Sequence, residues 1–203
     1  KSKTNVNRRH FLKSSGKVAA ASAVLSQLPI ERVAHAAVSD TISVALVGCG
    51  GRGSGAVSQI RNTKGNTKLV AVADVNAKKA KDRVDGFRKQ FNDWVDVPED
   101  RVFGGLDGYK AAIDSGADLV VIATPPAFKP QQFEYAVKAG KHIFCEKPVA
   151  SDAPGVRRVL AATQEAKKKN LMVGIGLQRR HEERYIDNIK RLHDGVIGDI
   201  NLM

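Results

Sequence analysis

A glycine-rich turn that follows a short apolar run constrains this chain most. Residues 41–47 (TISVALV) have the length and composition of a buried strand, and Gly48, Gly50 and Gly53 follow in the spacing G-x-G-x-x-G. The first glycine permits a tight turn, the second lets the backbone approach a pyrophosphate, and the third lets a helix pack on the strand. The pattern predicts a strand–turn–helix unit that binds a dinucleotide, with an ordinary glycine loop as the alternative.

Two further residues of this turn join the candidate site. Gly51 and Arg52 lie where the helix should begin, and the free N–H groups and positive dipole end of a helix N-terminus bind anions. The cofactor-binding candidates from this segment are therefore Gly48, Gly50, Gly51, Arg52 and Gly53.

An acidic residue at the end of the next strand completes the fingerprint. Residues 68–74 (KLVAVAD) form a second apolar run that ends in Asp74, about 20 residues after the glycines. Its carboxylate would accept both hydroxyls of the adenosine ribose, which favours NAD. Two alternatives stay open: Asp74 would cap the next helix, a role that Asn76 also fits, or Lys78 and Lys79 would pair with the 2′-phosphate of NADP.

The first 36 residues differ from the rest and resemble an export signal. Residues 7–13 (NRRHFLK) resemble the twin-arginine pattern, and an apolar stretch at 18–28 and an A-x-A site at 34–36 follow. We expect a cleaved signal peptide at 1–36, the export machinery as a partner, and a periplasmic or exported protein. The apolar stretch is short for a stable membrane anchor, and a disordered basic tail is the alternative.

Charge does not point to nucleic acid once this segment is set aside. Residues 1–36 hold seven of the 33 basic and one of the 21 acidic side chains, so the rest has a formal charge of +6 instead of +12. These charges alternate in sign along the expected helices, and no aromatic-rich basic patch occurs. We therefore expect no nucleic-acid partner.

The cysteines and histidines give no metal-ligand spacing. Cys49 and Cys145 form neither a disulfide framework nor a cluster, and both are expected to be buried as small apolar residues. The five histidines are scattered or belong to the signal. We predict no metal site.

Downstream of Asp74, helical periodicity alternates with short buried runs, which is typical of a doubly wound α/β fold with a mostly parallel sheet. Residues 118–124 (DLVVIAT) should form a central strand, and Thr124, Pro125 and Pro126 should leave the sheet at the edge where such folds bind ligands. Further on, we expect a covering helix with Val156, Val159 and Leu160 facing inward, and a linking helix at 178–193.

Residues 139–148 (AGKHIFCEKP) resemble the signature of the Gfo/Idh/MocA oxidoreductases. The segments VALVGCGGRG, VAVAD, VVIATPP, VGIGLQRR and GVIGDI occur in that family's order, so the resemblance covers essentially all of residues 41–203. It implies a Rossmann-like NAD(P)-binding domain, here residues 40–175. A linking helix and the first strand of a truncated α/β substrate domain, here 176–203, would follow it.

The resemblance implies that Lys147 is the catalytic residue. Its ammonium would hydrogen-bond a substrate oxygen and stabilise a developing alkoxide, while Glu146 would pair with it or orient it. Glu146, Lys147 and Arg180 are also cofactor-binding candidates, and the Lys147–Pro148 bond is often cis in the family. A surface turn with an incidental ion pair is the alternative from the residues alone.

Two departures from the family pattern matter. Many relatives have a histidine where this chain has Lys129, and the family's usual catalytic histidine and aspartate lie in the second domain, beyond Met203. We expect the chain to be a fragment or a truncated product of a protein that forms homo-oligomers.

The leading functional prediction is an NAD(P)-dependent oxidoreductase that transfers hydride between nicotinamide and a sugar, cyclitol or related polyol. One alternative is an exported glycosidase that uses bound NAD for transient oxidation and elimination. Another is a cofactor-binding fragment without activity.

Overall fold

The computed structural model describes residues 40–199, and their core is one parallel sheet of six strands. The spatial order is β3-β2-β1-β4-β5-β6, and every neighbouring pair is parallel. The strands are β1 Ile42–Val47, β2 Thr67–Asp74, β3 Val102–Gly104, β4 Leu119–Ile122, β5 His142–Cys145 and β6 Val173–Ile175. The predicted doubly wound, Rossmann-like fold is confirmed.

Six α-helices connect these strands or follow them within the described residues. They are α1 Gly51–Arg61, α2 Ala77–Phe91, α3 Gly108–Asp114, α4 Lys129–Lys138, α5 Ala153–Lys168 and α6 Glu183–His193. Three short 3₁₀ turns lie at Asn92–Trp94, Glu99–Arg101 and Gln178–His181. The strand order reverses between β1 and β4, and this switch point is where doubly wound sheets bind ligands.

The central strands β1, β2 and β4 are buried on both faces, as the strands of a parallel sheet covered by helices must be, whereas the edge strands β3 and β6 are only partly buried. Side chains of β1 alternate between two apolar clusters: Ala45 and Val47 pack on one face, and Val44 and Leu46 on the other, all at most 2% exposed. Strands that are buried on both faces have near-continuous apolar runs, and these runs made the strands predictable from the sequence.

The inward face of α5 differs from the prediction. Val159 is 7% exposed as expected, but Val156 is 42% and Leu160 is 59% exposed. The buried face instead follows the smaller residues Gly155, Ala162 and Ala166 at helical spacing around Val159. α5 packs closely on α4, where a Cβ at Gly155 would lie 3.0 Å from the Pro130 side chain, so small residues occupy the buried face and Val156 and Leu160 are left outside.

The predicted linking helix at 178–193 is divided in two. Gln178–His181 forms a 3₁₀ turn, Glu182 is extended, and α6 follows without a buried residue. The predicted signal at 1–36 and most of the strand expected after residue 198 lie outside the described residues.

Candidate functional site

Four turns that follow parallel strands meet at the carboxyl edge of the sheet. They come after β1, β2, β4 and β5, which end at Val47, Asp74, Ile122 and Cys145. This edge brings together almost all of the residues selected from the sequence, because parallel strands deliver their carboxyl ends to one side.

The glycine turn after β1 has the conformation that its residues predict. Gly48 has φ +99°, and a Cβ there would lie 2.8 Å from the backbone carbon of Ala123. A Cβ at Gly53 would lie 2.1 Å from the carbonyl oxygen of Gly48, so this helix residue packs directly on the turn. Both positions require glycine for steric reasons.

The start of α1 is open to a ligand. The helix begins at Gly51, its N-cap residue Gly50 makes no side-chain capping bond, and a Cβ at Gly51 would meet nothing within 4 Å. In the described chain the N–H groups of Gly51, Arg52 and Gly53 donate to no backbone carbonyl, and they lie at the positive end of the helix dipole. This cradle fits a pyrophosphate, as the sequence predicts.

Asp74 is held at the end of β2 by backbone donors. One carboxylate oxygen accepts from the Cys49 N–H at 2.9 Å, and the other accepts from the Asn76 N–H at 3.1 Å. Asn76, not Asp74, is the N-cap of α2, since its side chain accepts from the Lys79 N–H at 3.1 Å. The capping alternative for Asp74 is therefore wrong.

The Lys79 ammonium lies 3.5 Å from the Asp74 carboxylate, so a cation stands beside the acidic residue. Lys78 instead pairs with Asp82 on the exposed side of α2. Asp74 and Lys79 both line one pocket, and they would meet the adenosine ribose of a dinucleotide that has its pyrophosphate at α1.

This pocket has a volume of about 210 Å³ and lies at the switch point. Thr124 and Pro125 form part of its wall, whereas Pro126 is not among the lining residues. The Thr124 hydroxyl bonds the side-chain oxygen of Gln132 at 2.5 Å, which ties the wall to α4. The remaining lining residues are Val47, Gly48, Ala73, Val75, Gly105, Leu106, Tyr109, Ala123 and Phe128.

Glu146 has a different partner from the predicted one. Its carboxylate is 3% exposed and lies 2.9 Å from the guanidinium of Arg52, not against Lys147. The contact is an ion pair without hydrogen-bond geometry, so Oε1 accepts no hydrogen bond within residues 40–199. Gly176 closes the other side, because a Cβ there would lie 2.6 Å from the same oxygen.

Lys147 lies beyond the end of β5 with its side chain exposed. In the described part of the chain, its ammonium makes no hydrogen bond or ion pair. The Lys147–Pro148 peptide is cis, as the resemblance implies. The lysine is therefore available to a substrate at the same edge as the glycine turn.

The sequence did not identify Lys129 as part of the site. This first residue of α4 is 2% exposed, and its ammonium donates to the carbonyl oxygens of Glu146 at 2.6 Å, Lys147 at 3.2 Å and Pro148 at 3.1 Å. Burial lowers the pKa of Lys129. The signal available in the sequence was its departure from the family pattern, in which many relatives have a histidine at this position.

Arg180 is not brought to the pocket. It lies in the 3₁₀ turn after β6, exposed, and its N–H donates to the carbonyl of Leu177 at 3.0 Å. Its proposed contact with the cofactor stays a prediction.

Both cysteines are fully buried, as predicted. Burial raises the pKa of Cys49 to about 12, helped by the nearby Asp74 carboxylate. Burial also raises the pKa of Cys145 to about 11. Within residues 40–199 there is no group of three or more histidine, cysteine or acidic side chains that would hold a metal ion.

The fold and the glycine turn define a dinucleotide-binding domain of the Rossmann class. A family model described as "Oxidoreductase family, NAD-binding Rossmann fold" matches residues 42–175. The chain belongs to this Gfo/Idh/MocA family, and its Rossmann domain is of the NAD-binding type.

Known relatives are dehydrogenases and reductases. Inositol 2-dehydrogenase of Salmonella paratyphi B is 29% identical over 161 residues, which is 78% of this chain and 43% of that protein. The structure of scyllo-inositol dehydrogenase from Lactobacillus casei, with NAD(H) and scyllo-inositol bound, is 26% identical with a TM-score of 0.60, and the match covers 79% of this chain and 43% of that one.

A 3-ketoreductase mutant from Actinomadura kijaniata, in complex with TDP-benzene and NADP, is 25% identical with a TM-score of 0.61 over 79% of this chain and 44% of that one. The chain thus spans less than half the length of these relatives. Among the helices of residues 40–199, none is long and apolar enough to cross a membrane.

Proposed function

We propose that the protein is an NAD(P)-dependent oxidoreductase that transfers hydride between nicotinamide and a sugar, cyclitol or related polyol. One observation carries the proposal: Lys147, which is exposed and has no hydrogen-bond or ion-pair partner among residues 40–199, stands at the same sheet edge as the N-terminus of α1. A dinucleotide held by the glycine turn would extend along this edge. The relatives named for inositol support a polyhydroxylated substrate.

Lys147 would act on the substrate oxygen. An ammonium that donates a hydrogen bond to a hydroxyl or carbonyl oxygen stabilises the negative charge that develops there during hydride transfer. It also orients the carbon that gains or loses hydride. Bound nicotinamide supplies the hydride acceptor or donor.

Asp74 supports a preference for NAD over NADP. Its carboxylate has acceptor capacity left beside its two backbone bonds, so it would accept the ribose hydroxyls, and it would repel a 2′-phosphate. Lys79 works against this repulsion from 3.5 Å, so we expect NADP to bind more weakly without being fully rejected.

The test is the yield of NADH with a panel of cyclitols, hexoses and their oxidised forms. Wild-type protein should form NADH from NAD in proportion to the polyol consumed, and Lys147→Met should lower kcat by about 10²-fold or more. Lys141→Met, at the opposite end of β5, is the matched control and should keep its rate. NAD binding without turnover of any of these compounds would contradict the proposal.

The exported glycosidase is the second candidate, and the signal-like order of residues 1–36 favours it. Such an enzyme oxidises the sugar transiently, eliminates the glycosidic bond and returns the hydride, so it forms no net NADH. Cleavage of a chromogenic glycoside with unchanged NADH absorbance would support it. Net NADH in proportion to sugar consumed would support the dehydrogenase.

Export by the twin-arginine route would add a requirement on the cofactor. That route carries folded proteins, and free NAD is scarce outside the cytoplasm, so the nucleotide would be loaded before export and held tightly. Protein recovered from the periplasm should release nucleotide on denaturation. Recovery from the cytoplasm alone would contradict export, and nucleotide-free periplasmic protein would contradict tight retention.

A further inference from the structure

We infer that Lys129 is a positioning residue for Lys147: its buried ammonium fixes the backbone of the turn formed by Glu146, Lys147 and Pro148. The inference rests on the proposed function, in which Lys147 acts on the substrate.

The donor hydrogens of the Lys129 ammonium match the carbonyl oxygens of the turn in number and position. It has three donor hydrogens, and three successive carbonyl oxygens lie 2.6, 3.2 and 3.1 Å away, on Glu146, Lys147 and Pro148. In the described part of the chain, none of these carbonyls accepts a backbone N–H. Without Lys129 all three would lose their strongest donor.

The burial of the Lys129 ammonium makes its hydrogen bonds necessary for stability. Lys129 is 2% exposed, and a buried ammonium is unfavourable unless it is fully hydrogen-bonded. In residues 40–199 it forms no ion pair with a carboxylate within 4 Å, so the three carbonyl groups are its direct partners, and the Glu146 carboxylate adds a longer-range attraction. The ammonium and the carbonyls therefore constrain each other's positions, since displacement of the turn would leave the buried Lys129 ammonium without its partners.

These hydrogen bonds restrict the backbone position of Lys147. Carbonyls immediately before it, on it and immediately after it are all held by one atom, so the point from which its side chain leaves the backbone is fixed. The ammonium of Lys147 is exposed and unpaired in the described chain, so this anchoring is what limits where it reaches. Hydride transfer is sensitive to such placement at the level of about 1 Å.

Lys129 also connects this turn to the cofactor pocket. It is the first residue of α4, and its neighbours Phe128 and Gln132 line the pocket near Asp74 and Thr124. The start of α4 thus lines the pocket and also hydrogen-bonds the turn of Glu146, Lys147 and Pro148 through Lys129. A lysine suits this role because a compact ammonium serves three acceptors around one point, whereas the planar fork of arginine does not.

The test compares Lys129→Met with Lys138→Met, which removes an exposed lysine from the same helix. We expect Lys129→Met to lower kcat by about 10- to 100-fold with NAD affinity changed by less than about threefold, because geometry and not cofactor contact is lost. Lys138→Met should keep both values within about twofold. An unchanged kcat in Lys129→Met would overturn the inference.

A double-mutant cycle distinguishes positioning from general damage. If Lys129 acts through Lys147, Lys129→Met added to Lys147→Met should lower the remaining rate by less than about twofold. Equal losses in both backgrounds would overturn the inference, because the effect would then not pass through Lys147.

A readout without turnover separates this inference from the proposed function. In nitrogen–proton correlation spectra, the amide signals of Lys147 and Val149 should shift in Lys129→Met and stay in place in Lys138→Met. Unchanged signals would overturn the inference even if the enzyme is active. Absence of turnover in wild-type protein would contradict the proposed function and leave the spectral comparison decisive for Lys129.

Lys129→Arg replaces Lys129→Met in this test if Lys129→Met does not fold. It keeps the cation and several donors, so it should fold and show shifted Lys147 and Val149 signals with an intermediate kcat. Wild-type signals and wild-type kcat in Lys129→Arg would overturn the requirement for an ammonium at this position.

Discussion

The guanidinium of Arg52 lies 2.9 Å from the carboxylate of Glu146 and joins the glycine turn after β1 to the turn of Glu146, Lys147 and Pro148 after β5. The carboxylate is 3% exposed, whereas the Arg52 side chain is 47% exposed and reaches in from the surface. The two turns that would hold the two ends of a hydride-transfer site are therefore linked across the sheet edge by charge.

Loss of Arg52 should destabilise the fold through Glu146. Arg52→Met leaves a buried carboxylate without its cation, and we expect a loss of about 1–3 kcal/mol in the free energy of unfolding, measured by urea titration. Lys168→Met removes an exposed ion pair with Glu165 and should leave the free energy of unfolding nearly unchanged.

The partner variant completes this test. Glu146→Gln removes the buried charge. In that background, Arg52→Met should lower the free energy of unfolding by clearly less than it does in the wild-type background. Additive effects would show that the two side chains do not stabilise each other.

Two glycines of α1 should respond in opposite ways to alanine. Gly53→Ala places a Cβ 2.1 Å from the Gly48 carbonyl, so the turn must open, and we expect NAD binding to be lost and stability to fall by about 2 kcal/mol or more. Gly55 has free space around it, so Gly55→Ala should stabilise the helix by about 0.5–1 kcal/mol. Thermal unfolding and calorimetric NAD titration measure both. Equal effects at the two positions would contradict the close packing at Gly53.

Asp74→Asn should reduce the affinity for NAD by about 10- to 100-fold, since a charge-assisted hydrogen bond contributes about 1.5–3 kcal/mol. The affinity for NADP should fall less or rise, because repulsion is removed and Lys79 remains. Calorimetric titration with each nucleotide provides the comparison, and Asp82→Asn, on the exposed face of α2, is the control. Parallel losses for NAD and NADP would contradict the role of Asp74 in their discrimination.

The two thiols should be unreactive in the folded protein. Their pKa values are raised to about 12 for Cys49 and about 11 for Cys145, so both stay protonated up to strongly alkaline pH. At about pH 8, iodoacetamide should label neither until urea unfolds the chain, because the thiolate is the nucleophile. Mass spectrometry counts the labels, and rapid labelling of native protein would contradict their burial.

The raised pKa values of the two thiols determine the direction in which stability changes with pH. Because the folded-state pKa of each thiol lies above its ordinary value of 9.0, the folded chain retains protons that the unfolded chain loses. The contribution of the cysteines to stability is therefore complete below about pH 9 and decreases as pH rises through 11 and 12. Urea midpoints of wild type and Cys49→Ala should converge in that range, and a constant difference would contradict the assignment.

Local patterns made most of the fold predictable. The strand before Gly48, the strand that ends at Asp74 and the order of helices and strands depend on short-range signals, namely apolar runs, glycine spacing and caps. The confirmed Rossmann-like sheet follows from these signals and from the rule that parallel connections are right-handed.

The contacts between distant turns were not predictable in this way. The pairing of Glu146 with Arg52 depends on which loops meet at the sheet edge, and so does the burial of Lys129 under the turn after β5. An apolar pattern also misled at α5, since Val156 and Leu160 have core-like spacing with Val159 but smaller residues take the space near α4. Charged residues that are buried for a specific role leave little trace in composition.

We place the glycine turn, Asp74 and Lys147 in one site at the carboxyl edge of the sheet, and a crystal structure with bound NAD tests this arrangement. We predict the pyrophosphate at the N-terminus of α1, the adenosine ribose on Asp74, and the nicotinamide close enough to Lys147 for one substrate molecule to touch both. A nicotinamide ring directed away from Lys147, or a nucleotide bound elsewhere on the chain, would contradict the account.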